Sequence, residues 1–457
     1  MSFTASLSER IAAFELDDLG PEHVERVRHC LLDWVGVTIA GAQEPVARAV
    51  HGVTAAGGEG DPCSIVGTAH RAGSQACALA NGAAAHAHDY DDISFWMHGH
   101  PSVPVVAAVL AIAEQRGLTG REVVPALVAG YEACARVGLA VDLGHSLAGW
   151  HATGTVGAFA AAAGAGRALG LDAAALEVAL GLAATQAAGL KVSFGTMAKP
   201  LHGGLAAAAG VLSALLAEQG FTAARDAIEG HQGFAATQAP GFDADRPDAV
   251  MDGRLGLESI SFKKHPACGG THAAMDALER AFAEHSLRAN DVRAVQLRVT
   301  GQMLGICCIP EPATGHEGMF SVRHAAALVL ARRGTGVAGF TDEAVRDPDV
   351  VAARERVEVV QHPERPTGIR TEVRVRLRSG DELLYDAPQA APVDDDELPR
   401  QWEALCVKFE DLAGPVIGER ATGELVSRIG RFEHEGPVGE LLALTRPDAP
   451  PTRWEAV

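Results

Sequence analysis

Residues 81–101 read NGAAAHAHDYDDISFWMHGHP, and no other stretch of the chain concentrates so many side chains able to transfer protons. Four histidines and three aspartates fall within fifteen residues. The residues before them are small and favour a helix, so we predict that this helix continues to about Asp91. His86 and Asp89 would then lie three residues apart on one helix face. So much charge on an apolar helix is costly unless it faces a cavity or water, so the stretch indicates a functional site.

Length and composition limit the class of protein. With 457 residues the chain is long for a single hydrophobic core, so two domains are expected. The formal charge of -20 argues against nucleic acid and against an anionic membrane surface as partners. The eight cysteines form no CxxC pattern, and the N-terminus has no basic segment followed by an apolar one. The longest apolar run is shorter than the roughly 20 residues of a membrane helix. We therefore expect a cytoplasmic protein with reduced cysteines.

The hydrophobic pattern changes along the chain. Residues 1–255 show helical periodicity with no convincing strand alternation. Apolar and polar residues alternate at 295–299, which is typical of a strand. The clearest strand signal is TEVRVRLRSGDELL at 371–384, which predicts two strands joined through Ser379-Gly380. The region between residues 260 and 390 is therefore predicted to be α+β.

Residues 396–445 return to a helical pattern, so the mixed region is predicted to be an insertion. The expected fold is mainly α with an inserted α+β domain. A large all-helical domain would be built from both chain ends, residues 1–258 and 396–457, and the smaller domain from residues 259–395.

Four segments carry residues able to transfer protons or bind carboxylates. They are residues 81–101, WHAT at 150–153, TMAKPLHGG at 196–204 and KKHPACGGTH at 263–272. In the third segment, Lys199 precedes glycines at a predicted helix N-terminus, which is a favourable place for a carboxylate. No Gly-x-Gly spacing follows a strand and opens a helix, so the sequence contains no nucleotide-binding fingerprint.

Two classes of function fit these residues. The pattern HAHDYDD resembles part of a metal site, as in an all-helical, metal-dependent hydrolase. The lysines of the later segments would lie poorly beside a cation, however. The other class is metal-free acid–base catalysis on a carboxylic acid, in which lysines neutralise the carboxylates and a His/Asp set removes a proton from the adjacent carbon. Cations would stabilise the enolate-like charge, and the residues favour this second class.

Five motifs, taken in order, resemble those of the MmgE/PrpD family. They are NGAAAHAHDYDD with a later HP, GWHATGTVG, GTMAKPLHGG, KKHPACGGTH and GMFSVRHAAA. This family includes 2-methylcitrate dehydratase, cis-aconitate decarboxylase and iminodisuccinate epimerase, and the resemblance covers nearly the whole chain. It implies a helical domain formed by both chain ends with an inserted α+β lid domain. It also implies a homodimer, no required cofactor and a site in the cleft between the domains.

The same resemblance assigns roles to single residues. The aspartate of the family's D-[FY]-D-D motif falls on Asp89, the histidine before proline on His100, and the histidine of the second motif on His151. The two family lysines fall on Lys199 and Lys263. The resemblance implies that His100 and His151 transfer protons while Asp89 orients them or shares a proton. Lys199 and Lys263 would bind substrate carboxylates and stabilise the enolate-like state.

The chain departs from the family pattern at several positions. Ile93 stands where some members have threonine. Cys268 replaces a histidine of the decarboxylase, with His272 one helical turn further on, and His324 replaces a tyrosine of the decarboxylase. These departures remove polar contacts expected for cis-aconitate decarboxylation, so the sequence favours that activity less. We expect Cys268, His272, His324 and Met197 to be substrate-binding or specificity residues in the wall of the site.

The sequence therefore predicts a cofactor-independent lyase that acts on a small di- or tricarboxylate, with a hydro-lyase resembling 2-methylcitrate dehydratase as the first choice. An epimerase resembling iminodisuccinate epimerase is the alternative, and a decarboxylase or a metal-dependent hydrolase is less favoured. No metal, nucleic acid or membrane partner is expected. His86 and His88 are interpreted as supporting residues, and the roles of Asp91 and Asp92 stay open.

Overall fold

The computed structural model of this chain describes residues 2–54, 62–388 and 391–447. The described residues are mainly helical with small sheets, which confirms the predicted mainly-α class with some β structure. Up to residue 260, the described residues form eleven α-helices: α1 Phe3–Ala12, α2 Pro21–Gly41, α3 Pro45–Thr54, α4 Ser74–Ala85, α5 Ser102–Arg116, α6 Gly120–Leu147, α7 Ala152–Ala168, α8 Ala173–Ala184, α9 Ala198–Glu218, α10 Phe234–Gln238 and α11 Arg246–Met251.

Nine further helices follow among the described residues. They are α12 Gly269–Glu284, α13 Gly301–Leu304, α14 Gly315–Gly318, α15 Val322–Leu330, α16 Asp342–Arg346, α17 Pro348–Arg354, α18 Leu398–Ile417, α19 Glu419–Ile429 and α20 Val438–Leu442. Of these, α12 and α18 are the longest. The strands are β1 Cys63–Ser64, β2 Arg71–Ala72, β3 Ile93–Ser94, β4 Ile260–Ser261, β5 Val292–Val299, β6 Val357–Gln361, β7 Arg370–Leu377 and β8 Glu382–Pro388.

The largest sheet has four strands in the order β6-β5-β7-β8. β5 and β6 are parallel, whereas β7 is antiparallel to both β5 and β8. β7 and β8 are the hairpin predicted at Ser379-Gly380, where Gly380 has a φ of 101° that only glycine adopts readily. The inward residues of β5 and β7 are buried, as their alternating pattern predicted.

Buried apolar residues form two main clusters. One contains residues from the first 260 positions together with residues of α18, α19 and α20, and the other contains residues from Ala267 to Val375. α18 packs closely on α2, where a Cβ on Gly36 would lie 2.9 Å from the Phe409 ring. The predicted domain boundaries at 258 and 396 stay predictions, and residues 448–457 of the helical part lie outside the described residues.

Two helices, α6 and α9, are long and apolar enough by length and composition alone to cross a membrane. Most of the apolar window of each helix is buried inside the protein, as in the core helices of other folded proteins.

The helix that opens the histidine-rich stretch ends earlier than predicted. α4 ends at Ala85, and the prediction that it continues to Asp91 is wrong. Asp89 has a φ of 48°, in the left-handed region that a helix cannot contain. His86 and Asp89 therefore do not share a helix face, and the segment turns back on itself. Ser94 and Gly99 exchange backbone hydrogen bonds at 2.9 and 3.3 Å, which returns the chain towards Asp89.

Close glycine packing brings α4 against α9. A Cβ on Gly82 would lie 2.8 Å from the Cα of Gly204, and a Cβ on Gly204 would lie 2.3 Å from the carbonyl oxygen of Leu79. No side chain fits between backbones at these distances. Because Asp89 follows α4 and Lys199 lies in the first turn of α9, this contact also sets the separation of those two side chains.

We expect Gly204→Ala to lower the free energy of unfolding by about 1–3 kcal/mol, because its methyl group would force the two helix backbones apart. Gly423→Ala is the matched control. That glycine lies exposed inside α19 with nothing within 4 Å of its Cβ position. Alanine there should leave stability unchanged or raise it by up to about 1 kcal/mol. Chemical denaturation measures both variants, and a Gly204→Ala protein as stable as wild type would contradict the packing argument.

Candidate active site

One buried carboxylate lies at the centre of the predicted residues. The Nζ of Lys199 lies 2.7 Å from Oδ1 of Asp89, and the Nζ of Lys263 lies 2.8 Å from the same oxygen. Lys263 also donates to the Asp89 carbonyl oxygen at 2.6 Å. All three residues are buried. The backbone contact from Lys263 helps to hold Asp89 in its left-handed conformation.

Lys263 reaches Asp89 through a short strand pair that the sequence did not reveal. β3 follows the histidine-rich turn, β4 precedes Lys263, and the two strands pair antiparallel with Ile93 opposite Ser261. Residues that are 174 positions apart in the sequence are thereby joined by hydrogen bonds. The strand pair therefore brings the first and the fourth predicted segments together.

The charges of this cluster shift one another's pKa values. Burial alone would raise the pKa of the Asp89 carboxyl, but Lys199 and Lys263 outweigh burial and lower it. Burial lowers the pKa of Lys199 despite the attraction of Asp89. Burial opposes the charge of Lys263 as well, yet Asp89 and Asp91 outweigh burial and raise its pKa. Two carboxylates and two ammonium groups thus balance one another in the buried cluster.

Asp91 holds two of the histidines. Its carboxylate lies 2.9 Å from Nδ1 of His86 and 2.8 Å from Nδ1 of His100. The Nδ1 of His100 also lies 2.9 Å from the carbonyl oxygen of Asp92. Because these oxygens only accept hydrogen bonds, Nδ1 of each ring carries a proton. Nε2 is therefore the atom of neutral His100 that can accept a proton, and it lies 3.5 Å from Oδ1 of Asp89.

His151 approaches the same cluster from the N-terminus of α7. Its backbone N–H donates to the carbonyl oxygen of Gly189 at 3.0 Å, and its Nδ1 lies 3.1 Å from Nδ1 of His202. The His151 ring stacks parallel to His86 at 5.8 Å between centroids, and 6.4 Å separates it from the ring of His100. The sequence prediction that His100 and His151 lie together agrees with this geometry.

All three clustered imidazoles are uncharged near neutral pH. Burial lowers the pKa of His86 to about 3 and also lowers the pKa of His100. Burial, followed by the nearby charge of Lys199, lowers the pKa of His151 well below its ordinary value. Neutral imidazoles can accept protons. A bound anion would raise these pKa values, so the same rings could then deliver protons.

The C-terminal helices also contribute to the site. Lys408 of α18 donates to the carbonyl oxygens of Tyr90 at 2.7 Å and Lys263 at 3.2 Å, and it pairs with Asp33 at 2.6 Å. The Tyr90 ring covers the ammonium group at 3.8 Å from its centroid. One ammonium group, that of Lys408, therefore holds both the backbone of Tyr90, next to Asp89, and the backbone of Lys263.

A cavity of about 120 Å³ opens beside this cluster. Five of the predicted site residues line it: Asp89, His100, His151, Lys199 and Cys268. The other lining residues include an apolar group and a further cation: Trp150, Phe194, Ile306, Phe320, Ile369 and Lys191. A larger groove of about 630 Å³ lies on the four-stranded sheet, and its described lining includes none of the residues predicted to carry chemistry.

Four predicted binding residues do not line the described part of this cavity. Lys263 lies behind Asp89 and contacts its carboxylate instead. His272 donates from Nε2 to the Ala267 carbonyl oxygen at 3.2 Å, and His324 donates from Nε2 to the Gly339 carbonyl oxygen at 3.0 Å. Met197 is half exposed outside the cavity. Nothing in this geometry supports direct substrate contact by these four side chains.

Other residues of the site were missed. Asp91 and His86 were left open or treated as supporting, yet they belong to the hydrogen-bonded cluster. Their types were visible in the sequence, but the turn that joins them was hidden by the expected helix. Lys191 carried no signal, because it lies outside the quoted motifs and reaches the cavity only through the fold.

The ring nitrogens of His86, His100 and His151 lie within 4.8 Å of one another, a spacing that a metal ion could use. His86 and His100 already donate from Nδ1 to the Asp91 carboxylate. The ammonium groups of Lys199 and Lys263 neutralise the Asp89 carboxylate. A further cation in the cluster would be uncompensated. This donor set therefore suits an anionic ligand better than a metal ion.

Comparison with known proteins decides the family. The MmgE/PrpD N-terminal domain matches residues 5–247, and the MmgE/PrpD C-terminal domain matches residues 265–429. This chain belongs to the MmgE/PrpD family. A cis-aconitate decarboxylase of Aspergillus terreus (strain NIH 2624 / FGSC A1156) is 29% identical to this MmgE/PrpD protein over 470 residues, which cover 96% of this chain and 95% of the relative.

Two further relatives carry similar names. A cis-aconitate decarboxylase-like protein of Aspergillus oryzae (strain ATCC 42149 / RIB 40) is 26% identical over 476 residues, 96% of each chain. The cis-aconitate decarboxylase of Homo sapiens is 26% identical over 375 residues, 79% of this chain and 77% of the human protein. Decarboxylases of this kind are lyases, so lyase chemistry is supported for this MmgE/PrpD protein at the level of the family.

The buried histidines should make stability depend on pH. Burial lowers the pKa of His272 to about 3, so its ring stays neutral in the folded protein. In the unfolded chain the ring takes up a proton below about pH 6.5. The unfolded state thus binds more protons in this window, and stability falls as the pH falls. Removing this group with His272→Gln should make the slope of unfolding free energy against pH shallower by about 1.4 kcal/mol per unit below about pH 5.5.

Denaturant titrations between about pH 7 and 4 measure this slope. His434→Gln is the control, because that ring is exposed on the surface. The control should keep the wild-type slope. An unchanged slope in His272→Gln would show that this imidazole takes up a proton in the folded protein.

Proposed function

We propose that this protein is a cofactor-independent lyase of small polycarboxylates that transfers a proton at a carbon next to a carboxylate. One observation carries this proposal. His100 and His151 line one cavity with Asp89, whose carboxylate is held by Lys199 and Lys263. Proton-transfer groups and cations are the two components that chemistry on a weak carbon acid needs.

Among lyase reactions, decarboxylation of an unsaturated polycarboxylate is our first choice, in place of the dehydration favoured by the sequence. Relatives named cis-aconitate decarboxylase match the chain over nearly its whole length. The apolar side of the cavity, formed by Phe194, Ile306, Phe320 and Ile369, suits a carboxylate that loses its hydration before it leaves as carbon dioxide. Of the three positions that depart from the family pattern, Ile93 and Cys268 line the cavity, whereas His324 lies outside its described lining.

The proposed reaction balances with one proton. The bond from a CH2 carbon to its carboxylate breaks, and carbon dioxide leaves. The bonding electron pair forms a new double bond to the neighbouring carbon. The electrons of the original double bond move to the far alkene carbon, which takes the proton. Charge develops next to a second carboxylate in this step, so a cation there stabilises the transition state.

The residues divide this work between them. The substrate's carboxylates raise the pKa of His100 and His151, so one of these rings binds a proton and delivers it to carbon. Lys199 stabilises the developing charge, and Asp91 keeps the proton of His100 on Nδ1 so that Nε2 performs the transfer.

A hydro-lyase resembling 2-methylcitrate dehydratase is the second candidate. Two imidazoles on one cavity favour it, because one can remove the α-proton while the other protonates the leaving hydroxyl group. An epimerase would use the same base and return the proton from the other ring. A homodimer and a cytoplasmic location remain predictions from the family resemblance and the composition.

One assay separates these activities. The purified protein is incubated in heavy water with cis-aconitate, with 2-methylcitrate and with iminodisuccinate, and products are followed by NMR together with carbon dioxide release. We expect carbon dioxide from the unsaturated acid and one deuterium per product molecule. An alkene without carbon dioxide would identify a dehydratase, and deuterium at the α-carbon with neither would identify an epimerase. The absence of all three would contradict the proposed function.

His151→Asn tests the role of the proton-transfer pair. We expect kcat to fall by about 10²–10⁴, because a general acid or base contributes that much, while substrate affinity changes only a few-fold. His434→Gln, on the exposed surface, should keep wild-type kcat. A His151→Asn enzyme with kcat within threefold of wild type would remove this residue from the chemistry.

A further inference from the structure

Lys191 has a fixed place beside the proton-transfer residues. Its backbone N–H donates to the Gly149 carbonyl oxygen at 2.9 Å, and Trp150 and Leu190 form an isolated β-bridge. These contacts lie directly before His151, the N-cap residue of α7. Lys191 lines the same cavity as His151.

The ammonium group of Lys191 differs from those of the other two site lysines. Its Nζ lies 3.1 Å from the carbonyl oxygen of Ser146 and 3.4 Å from the hydroxyl oxygen of that residue. Both partners are neutral, and no carboxylate within the described residues forms an ion pair with Lys191. Lys199 and Lys263, in contrast, share the Asp89 carboxylate.

Because Lys191 has no carboxylate partner among the described residues, it changes the balance of charge in the cavity. Asp89 and Asp91 compensate Lys199 and Lys263, and the clustered imidazoles are neutral, so Lys191 supplies an additional positive charge at the cavity. Burial lowers the pKa of its amine, which shows that the surroundings do not stabilise the charge fully. An anionic group of a ligand placed next to the amine would stabilise it.

The same cavity offers donors of matching type. Gly269 and Gly270, the first residues of the sixteen-residue helix α12, line the cavity. Backbone N–H groups in the first turn of a helix have no partner inside the helix and favour anions. These donors support an anion in this part of the cavity but do not by themselves define the site.

We propose that Lys191 binds a second substrate carboxylate, distant from the one that reacts near Lys199, and thereby selects acids with two or more carboxylates. This inference rests on the proposed function for the identity of the reacting end. Lys191 takes the substrate-binding role expected of Lys263, whose ammonium group binds the Asp89 carboxylate instead. Lys191 is thus a specificity residue that supplies affinity, whereas the clustered histidines supply proton transfer.

Binding of tricarballylate tests the proposal without turnover. This saturated tricarboxylate has no double bond to rearrange and no hydroxyl group to eliminate. We expect Lys191→Met to weaken its binding by about 10- to 100-fold in calorimetry, the size of a lost hydrogen bond to a charged group. Lys191→Arg should restore most of the affinity. Lys264→Met is the control, because Lys264 is exposed and pairs with Asp276 at 3.0 Å, and it should bind as wild type does.

Kinetics provide the second readout. With a polycarboxylate substrate, Lys191→Met should raise KM by about 10- to 100-fold and change kcat by less than about threefold. Equal tricarballylate affinity in wild type and Lys191→Met, or no binding to wild type at millimolar concentration, would overturn the proposal. A third outcome separates the two proposals. If the wild-type protein turns over none of the tested acids but Lys191→Met still weakens tricarballylate binding, the proposed lyase function fails and the carboxylate site stands.

Discussion

The carboxylate of Asp89, shared by Lys199 and Lys263, is the interaction on which the rest of the site depends. It joins three segments that are far apart in the sequence, and each charge is buried. Any of these groups alone would be costly to bury, so each needs the others. The glycine contact between α4 and α9 and the strand pair β3–β4 bring the three side chains within hydrogen-bonding distance. The site is therefore a product of packing as well as of residue type.

This balance of charge also prepares the site for its chemistry. With the carboxylates compensated by lysines, the buried histidines stay neutral and Asp91 fixes the proton position of His100. In the proposed function, an arriving polycarboxylate disturbs the balance, and proton uptake by an imidazole restores it. Substrate binding and preparation of the proton donor are thus one electrostatic event. Lys191, which forms no ion pair with a carboxylate of the described residues, adds attraction for a further carboxylate in the proposed function.

Much of this arrangement could be predicted from the sequence. The helical class, the hairpin at Ser379-Gly380 and the importance of the histidine-rich stretch follow from local patterns, and the motif resemblance pointed to residues that line the cavity. The end of α4 could not be predicted, because the left-handed turn at Asp89 is held by a contact with Lys263, 174 positions away. The cavity position of Lys191 was invisible for the same reason: local propensity contains no information about which distant backbone a side chain will meet.

A double-mutant cycle between Asp89 and Lys263 tests the central interaction most directly. Unfolding free energies are measured for Asp89→Asn, Lys263→Met and the double variant. Asp89→Asn leaves two buried lysines without their shared carboxylate, and Lys263→Met leaves Asp89 with Lys199 alone, so each single variant should cost about 3–5 kcal/mol. The double variant should cost at least about 2 kcal/mol less than the sum, because it removes both charges together. Costs that add within about 0.5 kcal/mol would show that the two groups do not depend on each other and would contradict this account.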